Sequence, residues 1–421
     1  MDPAAAVPRP VAVSVLYHQY AVCVNQKRKY NCNSSVKDMK KIISILLLLC
    51  LCLPGTGRGE DALPVLRLET ALLDYVAVRP GTLTAEDITT PVTVKYRGSY
   101  SVTFTGKRNY SLHLKDEAGR QRKRSLLGLR EDDDYVLLGG LSDLSRLRCP
   151  VGLALWRGLG YPAPDAAACE LYFGEYYKGI YFLVERPDRK SAGVPRDGAL
   201  YRVLTASVDG ADLLSTAAPG APRGDAWYNV GLVYPETEAG WQPLQALLAT
   251  EDPSALLDLT AFADYYLFVN LIGASDNMKK NLYLCWDGSR FYPMPWDLDA
   301  AFGRLYNASL SDPAAWYTSP FFTRLRALPG FDALLARRWQ ALRQALCPDA
   351  VMALFQGEYD RLEAAGAWQR ELERFPAYED SSTGIRYPLD PAAELLLIRG
   401  FLNQRYALLE AAFSPSEEEA K

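Results

Sequence analysis

The chain has 421 residues, of which 49% are hydrophobic and 23% charged, with a formal net charge of −4. These proportions exclude wholesale disorder, and 30 glycines and 27 prolines scattered without period exclude collagen-like and coiled-coil classes. The slightly acidic balance argues against a dedicated nucleic-acid binder, and with only His18 and His113 in the chain, histidine triads and histidine-rich metal sites lack their partners.

The first predicted element is a leader. Met39-Lys40-Lys41 forms a charged start, residues 42–53 are nearly all apolar, and Pro54-Gly55-Thr56-Gly57 follows. This is the three-part pattern of a secretory signal peptide, and the apolar run is shorter than the about 20 residues a membrane-spanning helix needs. Residues 39–60 are therefore read as a signal peptide, with translation expected to start at Met39 and residues 1–38 a doubtful extension. The mature protein is expected to be secreted or held in the cell envelope, with no transmembrane span. Cys23, Cys32, Cys50 and Cys52 fall in this region; Cys149, Cys169, Cys285 and Cys347 remain, compatible with disulfides or with buried free thiols and without zinc-site spacing.

Residues 61–186 read as a β-rich lobe. Short alternating runs at 65–68, 92–96, 102–105 and 110–114 are broken by glycine and charged turns. His113 falls within the last of these and reads as a strand histidine. Arg120, Arg122, Lys123 and Arg124 cluster in one connection, read as a solvated hairpin loop rather than a patch for an acidic partner. Residues 144–159 have helical spacing and stop at Gly160, with Pro162 beyond. Residues 170–173 and 180–184 flank a glycine-containing turn and read as a hairpin.

Residues 187–413 read as a connecting insertion followed by a helical lobe. The insertion, 187–240, is rich in Gly, Pro and Asp, with a strand expected at 200–204. Residues 259–272 form a strongly apolar helix that stops at Gly273, and 319–413 are mostly helical. An acidic tail covers 414–421. The expected fold class is α+β.

The chemistry concentrates between Ala274 and Gly303. Residues 281–286 and 290–294 are two strand-like runs, and Asp287-Gly288 between them is a two-residue hairpin signal. Such a hairpin brings Asp276 and Asn281 beside Asp297 and Asp299 at its open end. Clustered carboxylates raise one another's pKa and call for a counter-charge. All-oxygen ligation suits Mg²⁺ or Mn²⁺. Asp276 and Asn281 have the separation of the base and the metal-binding Asn in a protein-kinase catalytic loop, and in kinases a hairpin and a second metal-binding Asp follow. The HRD, DFG and GxGxxG sequences are absent.

These residues resemble the CotH family, atypical kinases named for a spore-coat protein. Arg97-Gly98-Ser99 with Lys107-Arg108-Asn109-Tyr110 is similar to its RG-S…KKSY segment, and Leu126-Leu127-Gly128-Leu129 with Asp134-Tyr135-Val136-Leu137 to its LLGL…DWVL segment. The stretch from Asp143 to Arg148 resembles its D-x-S-x-x-R-N motif, with Cys149 in place of the Asn. Glu175-Tyr176-Tyr177-Lys178-Gly179-Ile180-Tyr181 with Glu185 resembles its glycine-containing hairpin. Pro295-Trp296-Asp297-Leu298-Asp299 with Phe302-Gly303 resembles its PWDxDxxFG signature, and Phe401-Leu402 with Arg405 its closing helix. The likeness runs from about residue 91 to 411.

The resemblance implies an atypical protein-kinase-like two-lobed fold, β-rich then helical, that transfers the γ-phosphate of ATP to Ser or Thr of a protein, such as a coat or envelope component. It implies Asp276 as the catalytic Asp, orienting the attacking hydroxyl and accepting its proton. Asn281, Asp299 and Asp297 would hold Mg²⁺ or Mn²⁺, with Asp299 the main ligand and Asp297 the alternative. Lys107 would neutralise phosphate charge, with Lys115 as fallback, and Arg97 and Arg148 are further phosphate-side candidates. Glu185 is placed near the nucleotide at the lobe connection, or else paired with the phosphate-binding lysine. The helix at 144–159 contains no Glu to pair with that lysine.

Two other readings stand beside this one. The first is a non-catalytic surface or coat protein on the same fold. The second is a glycoside hydrolase using Asp297, for which carboxyls at i and i+2 on one loop match poorly the opposed pair that chemistry needs.

Overall fold

The computed structural model describes residues 62–71, 73, 77–98, 107–203, 226–227 and 230–414. The expected signal peptide, its upstream extension, the run at 102–105 and most of the acidic tail lie outside these residues. Seven strands close into a barrel in the order β1-β2-β3-β4-β5-β7-β6. They are β1 (Val65–Thr70), β2 (Arg79–Ala85), β3 (Ile88–Arg97), β4 (Asn109–Leu114), β5 (Asp134–Leu138), β6 (Ala166–Phe173) and β7 (Tyr176–Glu185). Neighbours pair antiparallel except β1 and β6, which pair in parallel from Val65↔Glu170 to Leu68↔Phe173 and shut the barrel. The β-rich part expected over 61–186 is thus a closed barrel. Closure leaves this sheet no free edge.

Alternation sets what the barrel touches. Tyr135, Leu137, Tyr181 and Leu183 point into the barrel core with Leu66, Leu83, Val94 and Leu112. Their neighbours Val136, Ile180, Phe182 and Val184 point outward into a second, larger core. Strands β5 and β7 are therefore buried on both faces, which is why β7 reads as an unbroken apolar run from Ile180 to Val184. The helix expected at 144–159 is α1 (Arg148–Gly158). It packs in the larger core, with Trp156 stacked on Tyr161 and edge-on to Tyr265.

The strand expected within the connecting insertion is the central strand of a second sheet. β8 (Ala199–Val203), β9 (Ala226–Trp227) and β10 (Val230–Tyr234) join β11 (Leu282–Trp286) and β12 (Phe291–Pro295) in a five-stranded sheet ordered β12-β11-β8-β10-β9. The strand expected at 200–204 is β8, and its partner β11 is supplied from far along the chain. The helices are α2 (Gln242–Ala249), α3 (Leu259–Ile272), α4 (Pro320–Arg326), α5 (Phe331–Leu342), α6 (Pro348–Ala364), α7 (Ala367–Arg374) and α8 (Pro391–Phe413), with a small hairpin of β13 (Ala377–Glu379) and β14 (Arg386–Pro388). Among the described residues no helix is long and apolar enough to cross a membrane, and Cys149, Cys169, Cys285 and Cys347 are free thiols.

The connection between β4 and β5 carries the exposed Arg120, Arg122 and Lys123, and Asp116 takes hydrogen bonds from the Ala118 and Arg120 N–H groups to shape its turn. His113 on β4 pairs with Asp134 on β5.

Candidate active site

Helix α3 delivers the chain to the site. Asp258 caps its start by accepting the Ala261 N–H at 3.0 Å, and Gly273 ends it at φ +69°. A 3-10 turn, Ser275–Met278, follows and presents Asp276. Lys280 returns to Asp276 with Nζ 2.9 Å from Oδ2, both side chains partly exposed.

Asn277 locks this turn to the hairpin. Its buried amide donates to the backbone carbonyls of Asn281 and Trp296, each at 2.9 Å, and the Trp296 N–H donates to the Asn281 carbonyl at 2.9 Å. The open end of the β11–β12 hairpin is thereby closed around one side chain. Asn281 (φ +54°) and Asp297 (φ +58°) on either side of that end adopt left-handed backbone, which Asn and Asp tolerate better than other side chains. The hairpin's far end differs from the sequence expectation. Its loop spans residues 287–290, and Asp287 Oδ1 accepts the Ser289 and Arg290 N–H groups at 2.7 Å. Asn277→Ala is expected to cost about 2 kcal/mol in urea unfolding, because buried carbonyls lose their donor. A loss below about 0.5 kcal/mol would show that the clamp does not hold the site.

Asp297 and Asp299 are half-buried and feel one another's charge. Burial pushes Asp299 well up, the Asp297 and Asp143 carboxylates push further, and the Ala300 N–H opposes them. Burial also raises Asp297, against Arg97 and Arg202 and with help from Asp276. The three aspartates thus share one electrostatic neighbourhood. Among the described residues no three carboxylate, histidine or cysteine side chains form an ion cage. Magnesium is commonly held by one or two carboxylates plus substrate phosphates and water, and two crowded carboxylates without enough counter-charge are a donor set of that kind. Helix α1 backs this loop: a Cβ at Gly152 would meet the Leu298 side chain at 2.7 Å.

Arg97, at the end of β3, lies with its guanidinium 5.2 Å from the Trp296 ring centre and feels the Asp297 charge. The structure places Lys107 in a different setting. It is fully enclosed, with Nζ 2.5 Å from Glu371 Oε1 and within 5.2 and 4.9 Å of the Tyr181 and Phe375 ring centres. Glu371, on α7, also takes the Arg146 Nε–H at 2.8 Å and the Ile180 N–H at 2.8 Å. Burial drives Lys107 down to about 7 against the pull of Glu371. Burial works to raise Glu371 as well, but the Lys107 and Arg146 charges overcome it and hold it below its ordinary value. The partner missing from helix 144–159 is therefore supplied 264 residues away in sequence.

The close approach depends on Gly179, at φ +104°. A Cβ there would collide with the Glu371 carboxylate and stand 2.7 Å from Lys107 Nζ. Gly179→Ala is expected to cost at least about 2 kcal/mol in stability from backbone strain and displacement of the pair. A melting temperature equal to that of the parent would refute it.

The remaining candidates are placed otherwise than a phosphate-side role requires. Arg148 is wholly buried, donating to Asp143 at 2.6 Å, Glu394 at 2.8 Å and the Ala301 carbonyl at 2.9 Å. These bonds tie α1 and the segment after Asp299 to α8 and leave no face for a ligand, which corrects the expectation. Glu185 accepts the Arg130 N–H at 3.1 Å and the Asp165 N–H at 3.3 Å, so it pins the exit of β7 and does not pair with Lys107. Lys115 lies beyond the other end of β4 from Lys107, about 20 Å away along a six-residue strand. Sequence reasoning missed Glu371, Arg146, Asn277 and Lys280. Lys280 and Asn277 sit beside residues already chosen, and Arg146 lies two residues from Arg148, but no local signal marks Glu371.

Residues 94–409 match the family described as CotH kinase protein. No curated protein matches the chain significantly. Among solved structures, a chain of the Shewanella oneidensis MR-1 HipA–HipB toxin–antitoxin complex with operator DNA is similar at 16% identity and a TM-score of 0.30, over 72% of this chain and 63% of that one. The Helicobacter pylori proinflammatory kinase CtkA aligns at 10% identity and a TM-score of 0.28, over 81% of this chain and 92% of its own. The golgi casein kinase aligns at 10% identity and a TM-score of 0.31, over 84% and 74%. At these scores the likeness is too distant for any detail to be carried across.

Proposed function

The chain belongs to the CotH kinase protein family, and on that premise we propose that it transfers the γ-phosphate of ATP to a serine or threonine hydroxyl of another protein. The observation that carries the reading is the meeting of Asp276, Asp297 and Asp299 at the open end of one hairpin, with the Arg97 charge acting on Asp297. Asp276 is the partly exposed carboxylate of the three with a cation of its own, Lys280, and it can orient the hydroxyl and accept its proton as the new P–O bond forms. The bond to the β-phosphate oxygen breaks and ADP leaves. Asp297, Asp299 and the Asn281 amide would hold Mg²⁺ or Mn²⁺, which supplies charge neutralisation on the phosphates when bound. The family's name and the leader-like segment support a coat or envelope protein as substrate and a secreted enzyme.

Full-length protein incubated with γ-labelled ATP, Mg²⁺ or Mn²⁺ and a generic acceptor is expected to incorporate label and to gain thermal stability from ATP in a metal-dependent manner. The complete enclosure of Lys107 favours one rival, a non-catalytic surface or coat protein on this fold. Absence of both label incorporation and ATP-dependent stabilisation would overturn the kinase reading in favour of that rival.

A further inference from the structure

Glu371 is held as an anionic ligand would be. Its carboxylate takes the Lys107 ammonium at 2.5 Å, the Arg146 Nε–H at 2.8 Å and the Ile180 N–H at 2.8 Å. Lys107 precedes β4, Arg146 precedes α1 and Ile180 lies within β7, so three separate parts of the chain aim donors at one place. The missing Cβ of Gly179 is what lets an anion reach that backbone N–H. One carboxylate does not use up this donor set. Arg146 Nη1 donates to the carbonyls of Gly140, Leu141 and Asp143, but Nη2 is buried with no hydrogen-bond partner among the described residues. Residues 99–106, which lead into Lys107, carry no carboxylate to supply one. Arg146 is also held at φ +60°, a left-handed backbone that is costly for arginine.

A buried N–H without an acceptor is a standing cost that a ligand with more oxygens removes. A phosphate group brings more acceptor oxygens than a carboxylate, and guanidinium edges match them with paired N–H donors. The cluster also borders the aspartates: Arg146 donates to the Asp143 carbonyl at 2.9 Å, and the Asp143 charge acts on Asp299. We propose that Lys107, Arg146 and the Ile180 N–H form a phosphate subsite for the nucleotide, which Glu371 fills in the ligand-free protein and vacates when the polyphosphate binds. Helix α7 is then an internal competitor, and the enclosure of Lys107 is the closed state of the subsite. Arg370, which donates to Glu170 on the barrel, holds α7 in that state. The proposal rests on the nucleotide-phosphotransferase reading of the site.

Calorimetric titration of the full chain with inorganic tripolyphosphate, ATP and adenosine tests it. Glu371→Gln is expected to bind tripolyphosphate and ATP about 10-fold or more tightly than the parent, because the anion no longer displaces a charged hydrogen-bond partner. Adenosine binding is expected to stay unchanged. Adding Arg146→Gln to Glu371→Gln is expected to abolish the gain. Arg370→Gln severs a partly exposed anchor of α7 and leaves the cluster itself intact. It is expected to tighten tripolyphosphate binding as well, and it supplies the reading should Glu371→Gln fail to fold. No gain in the folded variants, a gain that survives Arg146→Gln, or an equal gain for adenosine would each overturn the proposal. Arg146-dependent binding without label transfer would instead refute the kinase reading and leave the anion site standing.

Discussion

Replacing Asp276 by alanine is expected to lower phosphoryl transfer about 10³-fold, within the range set by losing a positioned general base, and to leave the fold intact. Asp276 is partly exposed, and its one ion pair, with Lys280, is short-range and open to solvent. Such a pair contributes at most about 1 kcal/mol, so the melting temperature is expected to stay near that of the parent. Asp299→Asn is expected to abolish transfer with the opposite stability signature. Burial and the Asp297 carboxylate raise Asp299 above its ordinary value. In ligand-free protein at neutral pH the ionised group therefore opposes folding, since the unfolded chain carries the charge freely. Removing it relieves that cost, so the ligand-free variant is expected to melt above the parent while its labelled product disappears. The sign follows from the raised value: the cost is absent below the ordinary carboxylate range and grows as pH rises. If Asp276→Ala retains more than a tenth of the parent rate, Asp276 is not the base. If Asp299→Asn melts lower, the two carboxylates are not in conflict.

The largest stability loss is expected from Glu371→Ala. The substitution leaves Lys107 and Arg146 buried without their shared carboxylate and the Ile180 N–H without its acceptor. Breaking a buried pair by removing one partner costs about 3–5 kcal/mol, a large part of the 5–15 kcal/mol typical of whole domains. The effect should spread beyond the pair. Helix α7 also holds the barrel through Arg370, which donates to both Glu170 oxygens at 2.8 and 3.0 Å. Urea unfolding of Glu371→Ala, Glu371→Gln and Lys107→Met/Glu371→Gln measures the coupling. The double variant is expected to lose less than the sum of its singles, because each single strands the other's partner. Additive losses, or a Glu371→Ala variant within 1 kcal/mol of the parent, would remove Glu371 from this role.

Much of the site is written locally. The separation of Asp276 and Asn281, the hairpin after them and the paired aspartates of Pro295-Trp296-Asp297-Leu298-Asp299 are close in sequence, so a short-range hairpin is enough to bring them together. Helix α3 was legible for the same reason: an apolar run closed by Gly273 needs no distant partner to be read. Arg148 misled because a charged residue in a motif gives no sign of whether a carboxylate will enclose it. Asp143 and Glu394 do so here.

By itself the sequence determined the family, the mixed α+β class and the segment that carries the carboxylates, since each depends on residue types at short, ordered spacings. The tertiary structure alone decided that β1 meets β6 and closes a barrel, that β8 lies beside β11 and that Glu371 answers Lys107. Those contacts join residues far apart along the chain. Their free energy comes from burial and charge pairing that exist only once the two segments have met, and such contacts leave no periodic trace in either segment.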